Sequence, residues 1–323
     1  MQKNNNFHDI YLYNLKDHIN HYEYFNIPRN MRQKEKLMTS FCITNPVERV
    51  CYTAERKANI IFMYAEFLWY MKGDDSLDFI CYYASNMKQY SMNNRTLTGT
   101  AYGRKLFKYN GVINQIKNII NLLKKEKETK RAVIVIFSPK ELLIENNIDI
   151  SCTISCQFFV RNNKLFMITN MRANDIYKGN LSDTFAFTML QELISKELNV
   201  GIGDYYHIMG SSHLYECDFA HAEKVIQNSK PFSYYNYNFP QMPLTDNFKQ
   251  INLVLLKEES LRKNYEKLNK ERLMKLDLHD YWKQVVILLE LYRENMYESK
   301  FDESLVECLN PVYKQLFYNR YLI

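Results

Sequence analysis

Two apolar stretches separated by a pair of asparagines constrain the fold of this chain more than any other feature. Residues 153–161 (TISCQFFVR) and 164–172 (KLFMITNMR) are rich in β-branched and aromatic residues, and Asn162-Asn163 stands between them. Asparagine tolerates the left-handed backbone that a two-residue hairpin turn requires. The pattern therefore predicts an antiparallel hairpin.

Further strands and helices are predicted on both sides of this hairpin. Strands are predicted at 132–137 and 204–215, and helices at 54–72, 75–92, 112–127, 184–198, 249–273 and 280–295. Asp183 and Asp280 each stand at the start of a predicted helix and are candidate N-caps. The first 40 residues show no clear period. The pattern predicts an α+β fold, with a main domain over residues 1–240 and a helical C-terminal extension over residues 241–323.

Composition excludes several classes of protein. The 323 residues contain seven cysteines without a Cys-x-x-Cys pair, which argues against a disulfide framework and a zinc ribbon. The eight glycines form neither a Walker loop nor a dinucleotide-binding fingerprint. The net charge of +6 suits an anionic small molecule as well as nucleic acid. The polar N-terminus and the lack of a long apolar run predict a cytoplasmic protein without a membrane segment.

Cys152 is the candidate nucleophile. It comes immediately before the first hairpin strand, and Arg172 stands at the end of the second. A guanidinium group near a thiol lowers the thiol pKa and raises the fraction of nucleophilic thiolate. The alternative is that Cys152, like Cys156 four residues on, is a small buried hydrophobic residue, as most free cysteines are.

The hairpin lies within a series of motifs that occur in the same order in a known family. They are AEFLWYMKGD at 65–74, GTAYG at 99–103, Thr129-Lys130-Arg131, Cys152 with Gln157-Phe158-Phe159-Val160, Arg172-Ala173-Asn174-Asp175, Gly179 to Asp183, and Gly203-Asp204 followed by Gly210, His213 and Tyr215. With these motifs, residues 40–225 resemble the thymidylate synthase superfamily, and within it the pyrimidine-nucleotide hydroxymethylase branch.

The resemblance implies a fold, a reaction and a set of roles. It implies a mixed sheet packed with helices, a homodimer, and 5,10-methylenetetrahydrofolate as co-substrate, with no metal. In such a reaction Cys152 adds to C6 of a pyrimidine nucleoside monophosphate, C5 takes up the one-carbon unit, and either hydride or water completes the product. The resemblance also implies roles for single residues. Glu66 would relay protons and contact the folate, Tyr102 would lie beside the nucleophile, and Asp175 and Gly179 would bind the folate. His213 and Tyr215 would bind the ribose, Arg172 and Ala173 the phosphate, and Lys130 and Arg131 the phosphate held by the partner subunit.

Departures from the family pattern indicate the substrate. Asp183 stands where thymidylate synthases have the asparagine that binds the uracil edge. A carboxyl group accepts a hydrogen bond from the N4 amino group of cytosine and, when protonated, donates to N3. Lys130 replaces an arginine and Ala173 a serine at the phosphate site, which leaves room for a nucleotide with a 2′-hydroxyl and resembles the CMP hydroxymethylases of nucleoside-antibiotic pathways.

The sequence therefore predicts a folate-dependent cytidylate 5-hydroxymethyltransferase that prefers CMP and takes dCMP as a second substrate. One alternative is a dCMP- or dUMP-specific hydroxymethylase or a thymidylate synthase-type methylase. Another is a catalytically silent relative that binds RNA through its basic C-terminal helices. For the enzyme, neither nucleic acid nor a membrane is an expected partner.

Overall fold

A mixed β-sheet of seven strands forms the centre of the computed structural model, which describes residues 1–322. The strands are β1 (Gln2–Asn4), β2 (Tyr24–Asn26), β3 (Gln33–Ile43), β4 (Val133–Val135), β5 (Thr153–Arg161), β6 (Lys164–Asp175) and β7 (Gly201–Tyr215). Their order in the sheet is β1-β3-β7-β6-β5-β4, and β2 pairs with β3. The β1–β3 and β6–β7 pairs are parallel, whereas the other pairs are antiparallel.

Strand register brings the candidate functional residues together at one end of the sheet. The backbone N–H of Arg172 donates to the carbonyl of Cys152 at 2.8 Å, so the beginning of β5 lies beside the end of β6. Asp175 at the end of β6 pairs in register with His213 near the end of β7. Three strand ends therefore meet at one place.

Helices cover the sheet and continue to the C-terminal end of the described residues. They are α1 (Phe7–Asn20), α2 (Ile60–Lys72), α3 (Leu77–Tyr83), α4 (Tyr102–Lys108), α5 (Gln115–Lys125), α6 (Gly179–Glu197), α7 (Phe219–Asn228), α8 (Asn247–Arg262), α9 (Lys270–Met274), α10 (Asp280–Tyr297), α11 (Glu303–Glu307) and α12 (Pro311–Tyr321). Helix α6 packs between the sheet and α2, and α10 packs on α2 and α8. One continuous hydrophobic core includes residues from Phe7 to Phe317. Among residues 1–322, every helix is too short or too polar to span a bilayer.

The predicted hairpin and the α+β class are confirmed. Strand β5 has the predicted bounds, and Asn162 and Asn163 have φ values of 48° and 55°, as a two-residue turn of this kind requires. The single helix predicted over 249–273 is wrong, because the chain leaves the helix after Arg262 and Asn264 takes a φ of 55°.

Both predicted N-caps are also wrong. Asp183 lies inside α6, which begins at Gly179, and the side chain of His279 rather than Asp280 caps α10. The N-terminal 40 residues, for which no element was predicted, form α1 and most of β3. Helix α1 begins where the Asn6 side chain accepts from the backbone N–H of Asp9 at 2.8 Å, a capping contact that is not apparent from hydrophobic periodicity.

Candidate active site

A cavity of about 1060 Å³ opens beside the ends of β5, β6 and β7. Ten of the predicted site residues line it: Glu66, Tyr102, Cys152, Arg172, Ala173, Asp175, Gly179, Asp183, His213 and Tyr215. Lys130 and Arg131 do not line it. Both are exposed, and the Arg131 guanidinium forms an ion pair with Glu126.

The thiol of Cys152 lies next to the guanidinium group of Arg172, with 3.8 Å between Sγ and Nη2. Arg172 is held in place because its Nε and Nη2 donate to the carbonyls of Ser151 and Ile150 at 2.9 and 2.8 Å. Burial raises the pKa of the Cys152 thiol, and Arg172 opposes that rise. Arg172 thus lowers the thiol pKa as expected, but the net shift is upward, since desolvation outweighs the nearby positive charge.

Tyr102 fixes the backbone immediately after the nucleophile. Its side chain is buried, and its hydroxyl accepts from the backbone N–H of Thr153 at 3.1 Å. The loop before Tyr102 is tied to the loop before Cys152 by Asp149, whose carboxylate accepts from the backbone N–H groups of Gly99 and Thr100 at 2.8 and 2.9 Å. These contacts place α4 and the nucleophile in a fixed relation.

Two carboxyl groups with raised pKa values face the cavity from α2 and α6. Burial, and next the charge of Asp183, raises the pKa of Glu66 to about 8. Burial also raises the pKa of Asp183 to about 7, although a hydrogen bond from Asn174 opposes the shift. Among the described residues, Glu66 Oε2 is buried and has no hydrogen-bond partner, so it is available to a ligand. A pair of carboxyls near neutrality suits proton transfer.

Asp175, His213 and Tyr215 form another wall of the cavity. The Asp175 carboxylate accepts from the backbone N–H groups of Tyr177 and Lys178, while burial raises its pKa to about 6. Burial lowers the pKa of His213 to about 4, so its imidazole is neutral at pH 7 and both donates and accepts. The ring of His213 packs edge-on against that of Tyr215 at 4.9 Å between centroids.

Sequence patterns did not predict several other residues at the site. Arg29 lines the cavity with a φ of 50°, a left-handed conformation unusual for arginine, and joins Arg56, Arg172 and Arg320 among the lining residues. Asn174 and Asn180 are buried and form a chain of hydrogen bonds to Asp183. Tyr292, Met296 and Arg320, from the C-terminal helices, also line the cavity. The motif that contains Asn174 was recognised, but nothing in the sequence indicated that its side chain donates a hydrogen bond to Asp183.

A family model described as thymidylate synthase matches residues 29–274. The chain belongs to the thymidylate synthase family. The matched segment extends through α8 and α9, beyond the motifs that carried the resemblance, and contains ten of the cavity residues named at the start of this section.

Relatives of this thymidylate synthase family member include hydroxymethyltransferases and a synthase. Deoxyuridylate hydroxymethyltransferase of Bacillus phage SP01 is 28% identical over 236 residues, 69% of this chain and 61% of that protein. The protein of the same name from Delftia phage PhiW-14 is 30% identical over 204 residues, 59% of this chain and 56% of that protein. Thymidylate synthase of Mycoplasma genitalium is 25% identical over 190 residues, 50% of this chain and 65% of that protein. The chain thus spans less than two thirds of each relative's length.

Within residues 1–322 of this family member, no group of three or more His, Cys, Asp or Glu side chains has an arrangement that would hold a metal ion. The polar groups around the cavity are those of an organic ligand site: a thiol, guanidinium groups, carboxyls and a neutral imidazole.

Proposed function

We propose that this protein catalyses the folate-dependent 5-hydroxymethylation of a pyrimidine nucleoside monophosphate, with a cytidine nucleotide preferred. The observation that carries the proposal is the shared cavity, in which the Cys152 thiol, the Arg172 guanidinium and the carboxyls of Glu66 and Asp183 surround one space. Nucleophile, phosphate-binding cation and proton-transfer groups are the components that the reaction needs.

Cys152 is the proposed nucleophile. Its thiolate adds to C6 of the pyrimidine, which makes C5 nucleophilic toward the one-carbon unit. Arg172 stabilises the thiolate and binds the nucleotide phosphate through the edge of its guanidinium group that faces the cavity. Tyr102, through its hydrogen bond to the Thr153 N–H, holds the nucleophile in place. The S–C6 bond breaks when the product forms, and the thiol is regenerated.

The size of the cavity supports binding of a reduced folate together with the nucleotide. Its volume of about 1060 Å³ slightly exceeds the range of about 300–1,000 Å³ that is typical of a single small ligand. 5,10-Methylenetetrahydrofolate supplies the one-carbon unit when bound. Asp175 would accept hydrogen bonds from the pterin, Gly179 would allow the ring to approach the backbone, and the unpartnered Oε2 of Glu66 would bind a ligand or water. Once C5 has taken up the methylene carbon and lost its proton, and tetrahydrofolate has departed, Glu66 orients the water that adds to the exocyclic methylene of the base and produces the hydroxymethyl group.

Asp183 supports a cytosine base. With a pKa of about 7, its carboxyl is present in both protonation states near neutral pH. The protonated form donates to N3 of cytosine while its other oxygen accepts from the N4 amino group. His213 and Tyr215 would bind the ribose hydroxyls, and Ala173, which lacks a hydroxyl group, leaves space for the shift in position that a 2′-hydroxyl requires. These features favour CMP over dCMP.

A second candidate is hydroxymethylation of deoxyuridylate. The two phage relatives bear that name, and their resemblance to this chain extends over 236 and 204 residues. A catalytically silent RNA-binding relative is the third reading. The convergence of ten predicted residues on one cavity favours an enzyme.

Incubation with 5,10-methylenetetrahydrofolate and each of CMP, dCMP, UMP and dUMP, followed by mass measurement of the nucleotide, tests the proposal. We expect a 5-hydroxymethyl product, formed fastest from CMP, and expect Asp183→Asn to shift the preference toward the uracil nucleotides. A methyl product would contradict the water-addition step. Turnover of dUMP alone by the unchanged protein would favour the second candidate, and retained RNA binding without any product would favour the third.

We also propose a homodimer in which Lys130 and Arg131 reach the partner's phosphate. Exposed apolar side chains of Val133, Val135 and Ile154 lie on the neighbouring strands β4 and β5 and support an interface there. Mixing the inactive variants Cys152→Ala and Arg131→Ala tests this, because a mixed dimer contains one complete site. Recovered activity is expected, whereas no recovery, or a monomer in sedimentation, would contradict the proposal.

A further inference from the structure

A chain of three polar side chains ends at the carboxyl group that would bind the base. Asn180 Nδ2 donates to Asn174 Oδ1 at 2.8 Å, and Asn174 Nδ2 donates to Asp183 Oδ2 at 2.7 Å. Asn174 and Asn180 are 3% and 0% exposed, so water does not compete for these bonds. Asn174 and Asp183 both line the cavity, and Asp183 Oδ1, which takes no part in the chain, is the carboxyl oxygen left for a ligand.

The direction of the chain is fixed at its far end. Asn180 Nδ2 also lies 3.9 Å from the sulfur of Met209, which accepts hydrogen bonds and cannot donate. The Asn180 amide must therefore present its nitrogen both to Met209 and to Asn174. Asn174 in turn must present its oxygen to Asn180 and its nitrogen to Asp183. Met209 thus orients the Asn180 amide, and Asn180 orients the Asn174 amide.

This direction determines which oxygen of Asp183 carries the proton. The hydroxyl oxygen of a carboxylic acid accepts hydrogen bonds less well than its carbonyl oxygen. Because Oδ2 accepts from Asn174, the protonated acid has its carbonyl oxygen at Oδ2 and its hydroxyl at Oδ1. The edge that faces the base therefore has a fixed order of donor and acceptor.

Cytosine and uracil present opposite orders at positions 3 and 4. Cytosine has an acceptor at N3 and a donor at N4, whereas uracil has a donor at N3 and an acceptor at O4. A protonated aspartate that is free to carry its proton on either oxygen would bind both bases. When the order on Asp183 is fixed, one of the two bases is mismatched. Its donor then faces the Asp183 hydroxyl and its acceptor faces the Asp183 carbonyl oxygen.

We infer that Asn174 and Asn180 are specificity-determining positioning residues, which select between cytosine and uracil nucleotides by fixing the donor and acceptor oxygens of Asp183. This inference rests on the proposed function, in that Asp183 binds the base edge. It extends that function by assigning base choice to the whole chain of side chains rather than to the aspartate alone.

Gly179 allows the chain to form. A Cβ at this position would lie 3.2 Å from Asn174 Nδ2 and 3.4 Å from Asp183 Oδ2. That spacing is tight enough to press on the hydrogen bond between them. Gly179 therefore has a structural reason to be glycine that is separate from its proposed contact with folate.

The test compares Asn174→Leu with the unchanged protein. Leucine is similar in size to asparagine but has no donor, so Asp183 would be free to protonate on either oxygen. We expect the ratio of dissociation constants for CMP and UMP to move toward one by about 10-fold or more, with the ratio of kcat/KM following it. Asn180→Leu should produce a smaller change in the same direction. Asn170→Leu is the matched control, because Asn170 lies on the same strand but bonds to Ser155 and does not line the cavity.

A second measurement does not depend on a substrate. Titration of the Asp183 carboxyl by carbon-13 NMR in the free protein should show a higher pKa in Asn174→Leu, because the variant loses a hydrogen bond that favours the ionised form. If Asn174→Leu does not fold, Asn180→Leu provides the comparison, and Asn174→Ser serves as the conservative variant at the first position. In the serine variant, the hydroxyl retains a donor and should preserve the base preference.

The outcomes separate this inference from the proposed function. An unchanged ratio of dissociation constants in a folded Asn174→Leu variant would overturn the inference, even if hydroxymethylation occurs. Absence of product from all four nucleotides would overturn the proposed function, while the binding ratio would still test the role of Asn174. Absence of binding by any of the nucleotides would overturn both.

Discussion

The charge of Asp183 on α6 raises the pKa of Glu66 on α2, in addition to the larger effect of burial. Both carboxyls face one cavity, so ionisation of one makes ionisation of the other less favourable. The pair therefore retains a proton at neutral pH. This proton lies where a base and a water molecule would meet in the proposed reaction.

Replacement of Glu66 by glutamine should lower turnover and leave nucleotide binding nearly intact. The amide keeps the size of the side chain but cannot transfer a proton, a loss typically of about 10²- to 10⁴-fold in kcat. Since the protonated form prevails below a pKa of about 8, the decline in activity above that pH should also disappear in the variant. Profiles of kcat against pH for the two proteins test this. A normal alkaline limb in Glu66→Gln would contradict the assignment.

The Glu66→Gln variant should also differ from the unchanged protein in how its free energy of unfolding depends on pH. The pKa of Glu66 in the folded protein, about 8, lies above its ordinary value of 4.5, so the folded state binds the proton more tightly than the unfolded state. The contribution of Glu66 to stability is therefore complete below pH 4.5 and is lost as the pH rises through 8. Urea denaturation at pH 5 and pH 8.5 should show a smaller loss of unfolding free energy in Glu66→Gln than in the unchanged protein. Equal losses would show that Glu66 ionises normally.

Arg172 should control the reactivity of Cys152. Burial raises the thiol pKa and Arg172 opposes it, so Arg172→Leu should raise that pKa further. A higher pKa lowers the thiolate fraction at pH 7.5, so Cys152 should react more slowly in the variant. The rate of Cys152 alkylation by iodoacetamide at pH 7.5, followed by mass spectrometry, measures this. Arg161→Leu, at the far end of β5, is the control and should alkylate at the unchanged rate.

Gly103 should not tolerate alanine. An added Cβ would lie 2.3 Å from the carbonyl oxygen of Tyr70, which is backbone of α2 and cannot move aside. We expect a loss of about 2–4 kcal/mol in unfolding free energy, together with displacement of the neighbouring Tyr102 and loss of activity. At Gly201 the added Cβ would lie 3.2 Å from Lys164 Cγ and in ordinary contact with the Asn163 carbonyl oxygen at 3.5 Å, so Gly201→Ala should lower the unfolding free energy by about 1 kcal/mol or less. Equal stability of the two variants in urea would contradict the prediction.

The buried ion pair of Arg49 and Glu192 should be costly to break. Both side chains are fully buried and 2.5 Å apart, and Glu192 also accepts from the backbone N–H of Met242 at 2.7 Å. Arg49→Met leaves the carboxylate without its counter-charge, which costs about 3–5 kcal/mol of unfolding free energy. Lys275→Ala removes an exposed pair with Glu271 and should cost less than about 1 kcal/mol. Thermal and urea unfolding of both variants tests the difference.

The sequence predicted those parts of the fold that depend on local pattern. The β5–β6 hairpin was predicted closely because Asn162-Asn163 specifies its turn. The start of α6 was missed because Gly179 and Asn180 are poor helix formers. Both residues stand there because of their contacts with Asn174 and Asp183, which the sequence pattern does not show. The break after Arg262 was missed because a helical period continues through it to Leu268.

The site was predictable to the extent that the family motifs name its residues. Asn174 stands within such a motif, but its bond to Asp183 depends on how the end of β6 meets the first turns of α6. Arg29 enters the cavity from a segment without any periodicity. The net rise in the Cys152 pKa was also not predictable, because it follows from the depth of the cavity and not from the identity of its neighbours.

The Asn162-Asn163 turn lies at the opposite end of β6 from Arg172. Arg172 stands eight positions after Lys164, which is about 26 Å along a strand. A fluorophore or affinity tag attached at this turn would be distant from the nucleotide yet joined to it by a single rigid strand. The hairpin tip is therefore a suitable place to immobilise or label the protein for single-molecule measurements of ligand binding without obstructing the cavity.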